Sequence, residues 1–206
     1  MKNIFDQVWR NDLVGQGYYF LDVGIVDSKT LRQRMFEVKE KLSDFMPFGF
    51  RSMARFDQQE TTRYHQDGGP DLNILMLGYE ASKVKSRLFI ADHVCAANDI
   101  REIPPIKVTP QYIITEALFG WDELLDFYTS ELPQPQEGHS YILLVNNSKE
   151  LGVLHKAIVE KNPDERRIIN SIMLLVGEDE VSNEQQQDFL TTDKISEQYH
   201  AGKQVR

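Results

Sequence analysis

The feature that most constrains this chain is the succession of short β-rich segments, each ended by turn residues, that fills most of residues 50–176. Segments at 51–56, 61–65, 72–77, 84–92 and 107–108 carry β-branched and aromatic residues, and Gly, Pro, Asn or Asp punctuates them. Further runs follow at 141–145 (YILLV), 153–159 and 166–176, the last two joined by the loop EKNPDE. The continuous apolar run YILLV has the character of a buried strand. This pattern predicts a sheet of many strands.

Two helical stretches interrupt it. A strand at 17–23 (GYYFLDV) leads to Asp27 or Ser28 as an N-cap, and Leu31, Met35, Phe36, Val38, Leu42 and Phe45 then recur at helical spacing until Pro47 and Gly49. Residues 116–128 (EALFGWDELLDFY) also have helical spacing, weakened at Gly120. Beyond Gly177 the chain turns acidic and Gln-rich. The expectation is a mainly β chain with flanking helices (α+β), one domain over residues 1–177 and a polar acidic tail over 178–206.

Composition narrows the function classes. A chain of 206 residues with 41% hydrophobic residues, eleven Phe and eight Tyr has enough apolar side chain for one sizeable core, which argues against disorder. A net charge of −9 without a Lys/Arg run disfavours nucleic acid as a partner. The single cysteine, Cys95, cannot form an intramolecular disulfide, and no apolar stretch follows a basic segment at the start, so a cytoplasmic location is expected. No run of about 18 apolar residues occurs, so no membrane span is expected.

The chemistry concentrates in three places. In RYHQDGG, His65 and Asp67 are two residues apart within or at the end of a β run, which sends both side chains to one face. Taken alone, such a pair is more often an ordinary surface pair in a β turn. In VLHKAIV, His155 sits among apolar residues, where a core histidine bonded to backbone is the usual occupant. In ERRIINSIMLL, Arg166 and Arg167 open an apolar strand, and an arginine buried there needs an anionic partner. Together, two His and one carboxylate make the facial triad that suits Fe(II) and leaves positions open for other ligands. A neighbouring arginine would grip the far carboxylate of a chelating oxo-acid through its planar fork.

In the order His-any-Asp, distal His, then Arg within one hairpin, the sequence resembles the 2-oxoglutarate and Fe(II)-dependent oxygenase superfamily. The likeness covers residues 17–176 and includes HQD at 65–67, the strand YILLV with the turn NNS before GVLH, and the arginine strand. It implies a double-stranded β-helix, related to jelly rolls and cupins. It also implies iron held by His65, Asp67 and His155, with 2-oxoglutarate held by Arg166 or Arg167. Family members often carry Ser or Thr two residues after that arginine, whereas here those positions are Ile168 and Ile169, and Ser171 comes later on the same face as Arg167; Arg166 is preferred because it stands where the family's arginine begins its strand. The implied activity is hydroxylation of a small-molecule or amino-acid-like substrate. The alternative is a metal-binding or catalytically inactive β-helix that serves as a ligand-binding module.

Other residues draw weaker expectations. Asp92 and His93 fall on opposite faces of a strand, Cys95 is a small core residue, and His139 and His200 are solvent-exposed. Arg63, Tyr64 and Asn73 lie near the proposed metal.

Overall fold

The computed structural model describes residues 1–200 apart from Asn11, Val14, Pro70 and Ser196. It is α+β, with antiparallel sheets flanked by helices. The larger sheet has six strands in the order β1 (Tyr18–Gly24), β8 (Ser140–Asn146), β3 (Asn73–Tyr79), β10 (Ile168–Val176), β2 (Phe48–Asp57) and β11 (Glu197–His200). The smaller one places β4 (Ser86–Ala91) between β7 (Thr129–Glu131) and β9 (Leu154–Val159).

Strand periodicity divides the core into two layers. Along β3 every residue is buried, but Ile74 and Met76 face one way and Leu75, Leu77 and Tyr79 the other. The first set packs against α1 (Lys2–Val8) and α2 (Ser28–Ser43), through Val8, Leu31, Met35, Val38 and Leu42. The second set meets the small sheet, through Leu88, Ile90, Ala157 and Val159. The space between the sheets is therefore a second hydrophobic core, and side chains projecting into it define the site described below.

Several elements form where the sequence indicates. The Asp27 carboxylate accepts the Thr30 N–H at 2.7 Å and caps α2, and β1 falls within one residue of its predicted span. Elsewhere local chemistry overrides the expected element. Asp92 and His93 do not share a strand, because Asp92 caps α3 (His93–Ile100), accepting the Cys95 N–H at 3.0 Å, and His93 is buried inside that helix's first turn. A small hairpin of β5 (Glu102–Ile103) and β6 (Ile106–Lys107) follows. The helix predicted at 116–128 is split: α4 (Pro110–Phe119) ends on Gly120, whose φ of 90° terminates it, and a 3-10 turn spans Glu123–Tyr128.

The stretch after Gly177, expected as a polar tail, carries α5 (Asn183–Thr191) and β11. Ser182 and Gln185 form a reciprocal capping box, and Val181, Phe189 and Tyr199 are buried against the α2 side of the large sheet. The buried Arg32 and Arg55 hold this stretch from beneath. Arg32 donates to the Thr192 carbonyl at 2.7 Å, and Arg55 to the carbonyls of Asp193 and Lys194. His139, expected in solvent, pairs with Asp22 at 2.9 Å, and the His200 side chain lies outside the described residues. No helix among the described residues is long and apolar enough to cross a membrane.

Candidate metal centre

His65, Asp67 and His155 converge, each offering one ligand atom within 4.8 Å of the others. The segment 61–65 runs alongside β9 without forming a regular strand. Thr62 N–H donates to the Ala157 carbonyl at 2.9 Å, and His65 and His155 exchange both backbone hydrogen bonds at 3.0 and 3.1 Å. That single antiparallel bridge brings the two imidazoles to 4.2 Å between ring centroids. The His65 Nδ1–H donates to the Arg63 carbonyl at 2.7 Å, which fixes the tautomer and leaves the Nε2 lone pair facing Asp67 Oδ1 at 3.7 Å.

Asp67 is placed by an asparagine pair. The Asn147 side chain accepts the Asp67 N–H at 3.0 Å and donates to the Asp67 carbonyl at 2.7 Å. Its amide also donates to Asn73 Oδ1 at 2.8 Å, and Asn73 donates back to the Asn147 carbonyl at 3.2 Å. Asn73 and Asn147 are both buried, so this clamp joins the start of β3 to the end of β8 and fixes the backbone that carries the carboxylate. Gly69 allows the chain to lie close: a Cβ there would stand 2.7 Å from Met173 Sδ. Neither Gly68 nor Gly69 has a positive φ, so close approach rather than a sharp turn is what Gly69 provides.

The electrostatics suit a cation. Burial, with the neighbouring His65 adding to it, pushes the His155 imidazole down to about 3, so it stays neutral, which is the ligand form. Its Nδ1 is buried without a hydrogen-bond partner. Burial also raises the Asp67 carboxyl, against the opposing pull of His65. A divalent ion would relieve the desolvated carboxylate and take up both imidazole lone pairs. Donors about 2.0–2.2 Å from one ion stand at most about 4.4 Å apart, so small side-chain rotations are enough to close the set.

The two candidate arginines separate cleanly. Arg166 is exposed, and its carbonyl accepts a hydrogen bond from the Ser82 hydroxyl at 2.6 Å. Arg167 is buried between the sheets, on the same face as Ile169 and Ser171, so the arginine that faces the interior is Arg167 and not the preferred Arg166. Its Nη1 donates to the backbone and side chain of Gln58 at 3.0 and 2.9 Å, and its guanidinium lies over the Tyr79 ring at 5.0 Å. Nε and Nη2 are buried with no partner, the signature of a cation prepared for an anion. A cavity of about 460 Å³ reaches Arg167, Tyr79, Tyr141 and Ser86. Burial raises the Tyr79 phenol, and Arg167 opposes that while Asp67 adds to it.

Of the other residues near the triad, Tyr64 is buried and Arg63 exposed. Tyr64 reaches the Thr129 hydroxyl at 3.1 Å and lies under Lys156, and Arg63 donates to the Leu118 carbonyl at 2.6 Å. Cys95 is half-buried in α3 and unpaired. The role of Asn147 escaped sequence reading: NNS is recognisable as a turn, but nothing local ties it to Asp67. No protein-family model matches the chain, and no curated protein is detectably similar to it.

Proposed function

We propose that this chain is a double-stranded β-helix that binds Fe(II) through His65, Asp67 and His155 and acts as a 2-oxoglutarate-dependent oxygenase. The convergence of those three ligand atoms carries the reading. The topology supports the fold. β2, β10, β3 and β8 are adjacent in one sheet, while residues 61–65, β9, β4 and β7 follow one another in the second. The chain thus passes between two facing antiparallel layers as a double-stranded β-helix requires.

When bound, iron with 2-oxoglutarate supplies the oxidising chemistry, in which decarboxylation of the oxo-acid is coupled to hydroxylation. The protein's own residues do the rest. Arg167, with Nε and Nη2 unused as donors, would hold the distal carboxylate of the oxo-acid, with Tyr79 stacked beneath the guanidinium. The Asn73–Asn147 clamp keeps Asp67 oriented, and the hydrogen bond to Arg63 keeps His65 in its ligating tautomer. Leu75, Leu77 and Val145 wall the interior and exclude water. The test is turnover of 2-oxoglutarate to succinate by iron-loaded protein without added substrate. Slow release of succinate that disappears in Asp67→Ala supports the reading. No release from protein shown to hold iron contradicts cosubstrate use.

A further inference from the structure

Between β4 and β7 the chain leaves the small sheet for an insert, residues 92–128, that contains α3, β5, β6, α4 and the 3-10 turn. Half of the exposed large apolar side chains among the described residues sit on it: Ile103, Ile106, Leu118, Phe119, Trp121 and Phe127. The insert is also strongly acidic, with seven carboxylates against two basic side chains, Arg101 and Lys107. A groove of about 350 Å³ joins the two properties. Ile103, Tyr112, Trp121 and Leu124 form its apolar and aromatic walls, and Glu116 and Glu123 supply its charge. Trp121 is 64% exposed, and no cation pairs with Glu116 or Glu123 among the described residues.

The groove lies on the flank of the candidate metal centre. Arg63, two residues before His65, donates to the Leu118 carbonyl at the end of α4. Lys156, next to His155, pairs with Asp122 at 2.7 Å, beside Trp121. The insert is thus pinned to residues one or two positions from the two histidines.

We propose that this groove docks a lysine or arginine side chain of a polypeptide, which makes a basic peptide the substrate class; turnover of that peptide rests on the oxygenase reading, whereas its docking does not. Aromatic faces attract cations, and the two glutamates complement the charge of the ligand. Exposed apolar patches of this kind mark interaction surfaces. Leu118, Phe119 and Phe127 extend the apolar surface beyond the groove itself, which fits a chain better than a lone amine.

Fluorescence anisotropy of a short labelled peptide of alternating lysine and leucine, titrated with the metal-free full chain, tests the proposal. Binding should weaken with salt. It should fall about ten-fold or more in Trp121→Ala, in the Glu116→Gln/Glu123→Gln double variant, and when the peptide lysines are acetylated. Circular dichroism confirms that each variant is folded, and the acetylated peptide needs no variant at all. Absence of binding, equal affinity for the acetylated peptide, or unchanged affinity in both groove variants would overturn the proposal. So would self-association that Trp121→Ala abolishes, because it would assign the patch to a second copy of the chain. If the protein binds the peptide but never forms succinate, the oxygenase reading fails and the docking site stands.

Discussion

Asp67 owes its position to an asparagine 80 residues away in sequence rather than to strand geometry. Strand parity was the reason to pair it with His65, but the segment is irregular apart from the His65–His155 bridge, and Asp67 lies beyond that bridge. The ligand types and their chain order were legible because they are local or compositional. The clamp was not, since it depends on two strands meeting. Asn147→Ala should therefore lower metal affinity by about ten-fold or more, the range seen when groups that orient ligands are removed. Asn147→Asp, which keeps the acceptor for the Asp67 N–H but sets a buried carboxylate oxygen against the Asp67 carbonyl and Asn73 Oδ1, should not recover that loss in the same titration. The arginine pair was undecidable in sequence for a related reason. One position of register decides which side chain enters the interior, and the turn before β10 sets that register. Arg167→Gln should raise the KM for 2-oxoglutarate by about ten-fold or more, as expected for loss of a charge-assisted pair, while Arg166→Gln should leave it unchanged.

At the scale of elements, what sequence reading found were segments whose signals are strong and continuous, such as the Asp27-capped helix α2 and the YILLV strand β8. What it missed were short elements whose apolar residues are too few to show a period. In α3 the cap at Asp92 was present, but only eight residues follow, among them Val94, Ala96 and Ala97. In α5 the capping box Ser182–Gln185 stands in a Gln-rich stretch, and its anchor Phe189 is isolated in sequence. The structure makes that anchor a core residue: fully buried, flanked by Phe36 at 6.3 Å and Tyr199 at 6.0 Å, with Arg32 over its ring. Phe189→Ala should cost about 3–5 kcal/mol in urea unfolding, as buried Phe truncations do. A cost below about 1 kcal/mol would mean that α5 is not docked.

At the scale of the whole molecule, acid sensitivity follows from a histidine buried away from the candidate metal centre. His93 is fully buried with both ring nitrogens unpartnered, and burial pushes it down to about 4, with Arg10 assisting and Asp92 opposing. Above about pH 6.5 the imidazole is neutral in folded and unfolded chains alike, so nothing is lost. As pH falls from about 6.5 towards 4, the unfolded chain takes up a proton that the folded chain refuses, and stability declines by up to about 3 kcal/mol. Denaturant midpoints measured across that window should fall for the wild type and fall less steeply for His93→Leu. Equal slopes would remove His93 as the cause.

The central claim is that His65, Asp67 and His155 form one metal site, and anaerobic calorimetric titration of the metal-free protein with Fe(II) tests it most directly. One ion per chain, with binding abolished in His65→Ala, Asp67→Ala and His155→Ala while all three remain folded, is the predicted result. Binding that survives unchanged in any of these variants, or no binding by the wild type, would contradict it.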